Sequence, residues 1–212
     1  MVSSDSILQF FNLLNNNNLL YVLIKNDGGK IPYNVEDGKD VDFLIHPSHY
    51  NILLNLCLEN GYRRLPGESK KYFFLYKLRD DIFICKNDAY FHIYDKLACN
   101  SFTNMGLSKI PLDNKVQQYI WSNRIWDTVN SWWKANDVIV LISLIVKSIF
   151  DKKCFRKEYI YEIELRSNLL DNSIFTSLCE TIFFNYTDKL IFMLKGKKYD
   201  KIILDYQHFV QY

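Results

Sequence analysis

The chain has 212 residues, of which 49% are hydrophobic and 16% aromatic, so it can bury a sizeable core, and a disordered protein is excluded. A formal net charge of +2 gives no general basic excess, and nucleic-acid binding is therefore not the expected function. The 5 cysteines form no C-x-x-C pair, which predicts reduced thiols in the core and a reducing, cytoplasmic location.

The first 25 residues predict a helix followed by a strand. Residues 19–25 (LLYVLIK) are rich in residues that favour strands. Residues 26–38 follow as a loop, because glycine and proline recur there. The helix, at about residues 4–14, has an apolar face with helical spacing that consists of Ile7, Leu8, Phe10, Phe11 and Leu14.

A second strand and a second helix come next. Residues 39–45 (KDVDFLI) predict the strand, and residues 47–61 (PSHYNILLNLCLENG) predict the helix. Ser48 is the expected N-cap of this helix, and Gly61 stands where a left-handed C-terminal residue is expected. His46 and His49 are interpreted as residues at the helix entry, since no cysteine or further histidine lies nearby to complete a zinc site.

The rest of the chain changes from strands to helices. Residues 70–78, 81–87 and 89–97 predict three strands, the first two antiparallel. From about residue 115 onward the apolar spacing is helical, and this includes the stretch 121–134 that carries all 4 tryptophans. The predicted domains are therefore 1–112, of mixed α+β type, and 113–212, which is α-helical.

No targeting or membrane-spanning segment is expected. The N-terminus shows no signal-peptide pattern. The most apolar run, at residues 138–146, is too short to cross a bilayer and predicts a buried helix.

Asp40 and Asp42 form a D-x-D pair at the start of the second strand. Side chains two apart on a strand leave the same face, so these carboxylates point together, away from the apolar Val41 and Phe43. Like charges so close repel one another unless a cation lies between them, and Mg²⁺ prefers carboxylate oxygens. The alternative is an exposed acidic strand start with no ligand.

The context of the pair resembles a known superfamily. Residues 19–64 contain an apolar strand, the turn Gly28–Gly29, a loop, the D-x-D strand and a helix that closes on NGY. This arrangement resembles the nucleotidyltransferase fold of DNA polymerase β and the minimal nucleotidyltransferases. It is most similar to nucleotidyltransferase-like proteins associated with bacterial surface-polysaccharide genes. The resemblance implies a mixed β-sheet with flanking helices, followed by an α-helical domain.

The resemblance also implies an activity and a set of residues for it. It implies Mg²⁺- or Mn²⁺-dependent transfer of a nucleotidyl or related phosphoryl group from a nucleoside triphosphate to a hydroxyl or phosphate acceptor. The glycine turn would let the backbone approach the triphosphate, and nearby lysines would neutralise its charge. Residues 30–38 form a loop where the family usually starts a helix, so a phosphate site at a helix N-terminus is not expected. The implied substrate-binding residues are Gly28, Gly29, Lys25 and Lys39.

A third acid, acting as metal ligand and general base, is implied on the strand at 89–97. Asp95 is the acid within that strand, while His92 stands where related sequences often carry the acid. The two residues are three apart and cannot share a face of a regular strand. Three alternatives stay open: Asp95 is the base, His92 replaces it, or the third acid is missing.

Three functions therefore stay open at the level of sequence. The first is a nucleotidyltransferase, for which the resemblance implies a role in surface-polysaccharide synthesis. The second is a catalytically degenerate member of the same superfamily that binds a nucleotide or a protein partner. The third is a helical interaction protein with an α+β cap, outside the superfamily.

Overall fold

The computed structural model describes residues 4–24, 30–36, 38–65, 82–101 and 109–210. The chain divides into two compact units. The first unit combines Met1–Leu97 with Ile120–Asn136, and the second combines Ala98–Tyr119 with Asp137–Tyr212. These units differ from the predicted domains 1–112 and 113–212 in two segments. Residues 98–112 fall in the first predicted domain but belong to the second unit, and residues 120–136 fall in the second predicted domain but belong to the first unit.

Strands in the described residues form two sheets. The strands are β1 Tyr21–Leu23, β2 Asp40–Ile45, β3 Arg63–Leu65, β4 Ile82–Lys86, β5 Ala89–Tyr94, β6 Ala98–Asn100, β7 Lys109–Pro111, β8 Ile125–Asp127 and β9 Trp132–Lys134. The first unit holds a mixed sheet, which among these residues has seven strands in the order β3-β4-β5-β2-β1-β9-β8. Strand β2 pairs parallel with β5 and antiparallel with β1. Strands β6 and β7 pair with each other in the second unit. The predicted mixed α+β fold is confirmed.

Helices α1 (Ser4–Asn16) and α2 (Tyr50–Glu59) share the core of the first unit with the sheet. The predicted apolar face of α1 is confirmed, because Phe10 and Phe11 are fully buried. The ring of Phe10 stacks on that of Phe91 in β5, with the centroids 3.9 Å apart. Burial of such large aromatic side chains is what holds α1 on the sheet, at about 2–3 kcal/mol for each one.

Strand β2 alternates as its sequence predicts. Val41, Phe43 and Ile45 are buried in the core, with no more than 1% of each side chain exposed. Asp40 and Asp42 leave the opposite face, where Asp40 is exposed and Asp42 is half-buried. The shared orientation of the two aspartates is therefore confirmed.

The entry of α2 differs from the prediction, whereas its exit agrees with it. A 3₁₀ turn at Pro47–His49 precedes the helix, and the Ser48 hydroxyl lies 2.7 Å from Nδ1 of His46. His49 is the N-cap and makes no side-chain capping hydrogen bond, so the prediction that Ser48 caps α2 is wrong. Gly61 has the expected positive φ, at 76°.

The tryptophan stretch forms a β-hairpin at residues 125–134, and the helix predicted over 121–134 is wrong from residue 123 onward, because α3 ends at Ser122. Strand β8 pairs antiparallel with β9, and β9 pairs parallel with β1. The carboxylate of Asp127 closes the turn by accepting from the backbone N–H of Val129 at 3.0 Å and of Asn130 at 3.2 Å. Trp132 is fully buried in the core of the first unit. Burial of Trp132 and the pairing of β9 with β1 therefore override the helical spacing of the tryptophans.

The second unit is mainly helical, as predicted. The residues of the expected apolar helix form α4, and Val138, Leu141, Ile142 and Ile145 are among its buried residues. No helix within the described parts of the chain is long and apolar enough to cross a membrane. The remaining helices are α3 Asn114–Ser122, α4 Asp137–Val146, α5 Lys157–Leu165, α6 Ser173–Phe183, α7 Thr187–Lys195 and α8 Tyr199–Val210. The last residues of α3, from Ile120, are counted with the first unit. A π-helical segment, Lys147–Lys152, follows α4.

The cysteines are free thiols, and most of them are buried. Cys57, Cys85, Cys99 and Cys179 lie in the interior, as predicted. Cys154 is exposed, so the prediction of a core position is wrong for this residue. The predicted strand at residues 70–78 lies outside the described residues.

Candidate metal centre

The parallel pairing of β2 with β5 brings a histidine beside the aspartate pair. In the register of these strands Asp42 lies opposite His92, and Asp40 lies opposite Tyr90. Side chains that are directly opposite on neighbouring strands share a face of the sheet. His92 therefore projects from the same face as both aspartates.

The three side chains converge at the level of single atoms. Nδ1 of His92 lies 3.4 Å from Oδ2 of Asp40 and 3.3 Å from Oδ1 of Asp42. One potential ligand atom from each of the three residues lies within 4.8 Å of the other two. Among the described histidine, cysteine, aspartate and glutamate residues, Asp40, Asp42 and His92 form the group of three that could hold a metal ion.

Two aromatic residues hold the imidazole of His92 in place. Phe83 lies opposite it on β4 and stacks on it, with the ring centroids 3.9 Å apart and the planes inclined by 20°. On β5 the ring of Tyr94 lies 4.1 Å from the imidazole, centroid to centroid. The Tyr94 hydroxyl donates to Oδ1 of Asp42 and lies 2.7 Å from Nδ1 of His92. Stacking and hydrogen bonding thus keep Nδ1 directed toward the carboxylates.

The donor set and its exposure fit a divalent cation. The side chains of Asp40, Asp42 and His92 are 42%, 21% and 15% exposed, so the cluster is accessible from one side and partly desolvated on the other. Bonds of about 2.0–2.2 Å place neighbouring ligand atoms of an octahedral ion about 3 Å apart. The 3.3 and 3.4 Å separations of Nδ1 from the carboxylate oxygens are close to that spacing.

Asp95 lies just beyond β5, at a bend, and only 6% of it is exposed. The three residues that bring ligand atoms together are Asp40, Asp42 and His92, and Asp95 is not among them. Alternation along β5 explains this difference, because His92 and Tyr94 share the face of the aspartates while Asp95 follows Tyr94 in the chain. Its role as a third ligand or as the general base stays a prediction.

The predicted substrate-binding residues are only partly described. Lys25, Gly28 and Gly29 lie outside the described residues. Lys39 is exposed beside Asp40, and its backbone N–H donates to the carbonyl of Glu36 at 3.1 Å. Residues 31–34 form a turn, closed by a hydrogen bond of 2.7 Å from the N–H of Asn34 to the carbonyl of Lys30. The predicted loop in place of a helix is confirmed for residues 30–36.

His46 and His49 have the structural role that the sequence indicates. Nδ1 of His46 accepts from the N–H of Ser48 at 3.3 Å, at the start of the 3₁₀ turn. Nδ1 of His49 accepts from the N–H of Leu20 at 2.9 Å and so links α2 to the segment before β1. Burial, with His49 and Arg124 nearby, lowers the pKa of His46 and favours the neutral ring that can accept a hydrogen bond.

Sequence reasoning missed Phe83 and Tyr94. The signal for Tyr94 was its position two residues after His92, which puts both on one face of the strand. Phe83 could not be found this way, because its place opposite His92 depends on the register between β4 and β5.

Comparison with known proteins gives structural likenesses alone. No protein-family model and no curated protein matches the chain. The solution structure of the antibiotic-resistance factor ANT(2'')-Ia aligns over 100% of both chains with a TM-score of 0.46 and 8% identity. The crystal structure of ANT(2'')-Ia in complex with adenylyl-2''-tobramycin aligns over 82% of this chain and 93% of that chain, with a TM-score of 0.49 and 7% identity.

Proposed function

We propose that the chain is a divalent-metal-dependent nucleotidyltransferase. In this proposal it transfers a nucleotidyl or related phosphoryl group from a nucleoside triphosphate to a hydroxyl or phosphate acceptor. The observation that carries the proposal is the convergence of Asp40, Asp42 and His92 on one face of the sheet, with potential ligand atoms within 4.8 Å of each other. The resemblance of residues 19–64 to the nucleotidyltransferase superfamily supports the same assignment.

Asp40 and Asp42 would hold Mg²⁺ or Mn²⁺ through their carboxylates. Such an ion supplies charge neutralisation for the phosphates and orients them for in-line attack. The exposed side chain of Asp40 faces the accessible side of the cluster, where a triphosphate can approach. The exposed Lys39 next to it would neutralise phosphate charge, and Lys25, Gly28 and Gly29 are proposed to contribute a cation and a backbone cradle.

The proposal also names an acceptor substrate and two candidates for the general base. The likeness to proteins encoded with surface-polysaccharide genes favours a sugar hydroxyl as acceptor. Asp95 and His92 are the two candidates for the base that removes its proton, a role that needs hydrogen-bond reach to the acceptor. Positioning of two bound substrates would supply most of the rate enhancement, as expected for a reaction with little covalent participation by the protein.

A degenerate nucleotide-binding protein is the second candidate. Two observations favour it: a histidine occupies the place of the third acid beside the pair, and a turn occupies residues 31–34 where the superfamily starts a helix. In this second proposal both features would weaken catalysis, while metal and nucleotide binding would remain.

Thermal shift with a panel of nucleoside triphosphates tests the binding that both candidates share. In the presence of Mg²⁺ or Mn²⁺ we expect at least one triphosphate to raise the melting temperature, because a ligand that binds only the folded state stabilises it. The double variant Asp40→Asn, Asp42→Asn should lose this shift. Asp88→Asn, at an exposed turn on the same sheet, is the matched control and should keep it.

Pyrophosphate release separates the two candidates. A nucleotidyltransferase releases pyrophosphate when the triphosphate that gives the shift is incubated with a sugar or sugar-phosphate acceptor. A degenerate member gives the shift without release. If no triphosphate gives a metal-dependent shift in the unmodified chain, both candidates are wrong and an interaction protein is left.

A further inference from the structure

We propose that His92 is a metal ligand rather than the general base, and that its nitrogen makes the site select Mn²⁺ over Mg²⁺. The inference rests on the proposed function to the extent that Asp40 and Asp42 hold the ion. It goes beyond that function by naming the third ligand and the metal. Tyr94 enters the inference as a positioning residue for two of the ligands.

The direction of the imidazole opposes proton removal from an acceptor by Nδ1. Nδ1 lies 3.3 and 3.4 Å from carboxylate oxygens of the two aspartates and 2.7 Å from the hydroxyl of Tyr94. These neighbours surround Nδ1, so an acceptor hydroxyl would have to displace them to reach it. Because Tyr94 gives its single hydroxyl proton to Asp42, Nδ1 carries the proton that lies among these oxygens. A cation between the carboxylates would take the place of that proton and would then be met by the Nδ1 lone pair, with the ring proton on Nε2.

The packing around the ring opposes a change of that direction. Phe83 stacks on the imidazole at 3.9 Å, and only 15% of the His92 side chain is exposed. A ring held in this way is preorganised as a ligand, which removes the entropy cost of ordering it when the ion binds. The packing thus keeps Nδ1 beside the two carboxylates.

The mixed donor set determines which ion is favoured. Mg²⁺ demands nearly ideal octahedral geometry and takes oxygen ligands, whereas imidazole nitrogen suits first-row transition metals. Of the two ions in the proposed function, Mn²⁺ is the transition metal and accepts an imidazole nitrogen beside carboxylate oxygens more readily than Mg²⁺ does. Two carboxylates with one imidazole therefore favour Mn²⁺ over Mg²⁺ more strongly than three carboxylates would.

Tyr94 positions two of the three ligands at once. Its hydroxyl donates to Oδ1 of Asp42, and its ring lies 4.1 Å from that of His92, centroid to centroid. Hydrogen-bonding partners of metal ligands typically contribute 10- to 100-fold to metal affinity. Tyr94→Phe keeps the ring and removes only the hydroxyl, so we expect Mn²⁺ affinity to fall about tenfold while the fold is retained.

Electron paramagnetic resonance of Mn²⁺ bound to the full chain tests the ligand directly. We expect the electron spin-echo modulation to show a coordinated ¹⁴N nucleus. His92→Asp should bind Mn²⁺ without that ¹⁴N signal, and the ratio of its dissociation constants for Mg²⁺ and Mn²⁺ should fall about tenfold. His208→Gln, which changes an exposed histidine in the second unit, is the control and should retain the signal and the ratio.

The outcomes of these experiments distinguish a failure of the His92 inference from a failure of the proposed function. Loss of Mn²⁺ binding in Asp40→Asn, Asp42→Asn together with loss of the ¹⁴N signal in His92→Asp supports both. Aspartate-dependent binding of Mn²⁺ with no ¹⁴N signal in the unmodified chain, or with one that persists in His92→Asp, overturns the inference and leaves the proposed function standing. Absence of any Mn²⁺ binding to the unmodified chain overturns both.

Discussion

Phe83 and His92 face each other across β4 and β5 with their rings stacked 3.9 Å apart. This contact supports the ring of the candidate ligand from the neighbouring strand. We predict that Phe83→Leu lowers Mn²⁺ affinity about tenfold, because the imidazole loses the surface that fixes its orientation. Isothermal titration with Mn²⁺ measures the change.

Phe83→Tyr is the matched control for this prediction, because it keeps an aromatic face under the imidazole. Its affinity should stay near that of the unmodified chain. Equal affinities for the Leu and Tyr variants, with circular dichroism showing that both are folded, would mean that the stacking does not position His92.

Tyr21 links α1 to the hairpin through its hydroxyl. The hydroxyl donates to Oδ1 of Asn15 at 2.8 Å and accepts from the backbone N–H of Trp133 at 3.4 Å. Tyr21→Phe leaves both partners without this contact, and we expect the free energy of unfolding to fall by about 1–3 kcal/mol. Urea unfolding followed by tryptophan fluorescence measures it, because all 4 tryptophans lie in residues 121–133 of the first unit. The exposed Tyr33→Phe is the control and should change little.

The same residue predicts a loss of stability in alkali. Burial raises the pKa of Tyr21 from 10.0 to about 12, so the folded state favours the neutral phenol. Its contribution is complete below the unfolded pKa of 10.0 and is lost as the pH rises toward about 12. The urea midpoint of the first unit should fall over this window, and less steeply in Tyr21→Phe. Parallel slopes for the two proteins would contradict the assignment to Tyr21.

Asn172 caps α6 in the second unit. Its side-chain oxygen accepts from the backbone N–H of Ile174 at 2.9 Å and of Phe175 at 3.1 Å. Asn172→Ala removes this acceptor and should lower the free energy of unfolding by about 1 kcal/mol. Circular dichroism during urea unfolding measures the loss. Asn172→Ser supplies another capping oxygen and should restore most of it, whereas equal losses in both variants would argue against capping.

Cys154 should be the thiol that reacts fast in the folded chain. It is exposed, while burial raises the pKa of Cys57 and of Cys99 to about 12 and so suppresses their thiolates. A disulfide reagent at about pH 8 should label a single thiol rapidly, and Cys154→Ser should abolish that phase. Fast labelling of the variant would show that an interior thiol is accessible.

Local patterns were sufficient for much of the first unit. The apolar face of α1 and the opposite faces of β2 follow from periodicity alone, because burial on one side selects residues at fixed spacing. The orientation of Asp40 and Asp42 could be predicted on that basis. These features depend on neighbours within one element, which a sequence displays directly.

Features that depend on pairing between distant segments could not be predicted. His92 joins the aspartates because β2 pairs parallel with β5 in a particular register. The sequence predicts a helix where β8 and β9 form a hairpin, because tryptophans at 5-, 6- and 7-residue intervals are compatible with both periods over a short stretch. The segment forms strands because β9 pairs with the edge of β1 that β2 leaves open.

The first unit is discontinuous in the chain, and this has a consequence for how it is made. Strand β9 and the buried Trp132 lie beyond residues 98–119, which belong to the other unit. A nascent chain that has emerged only as far as β5 has an unpaired edge at β1 and a core without its largest side chain. Completion of the sheet must therefore wait for translation of the hairpin, and until then β1 is a site for wrong pairing or for a chaperone.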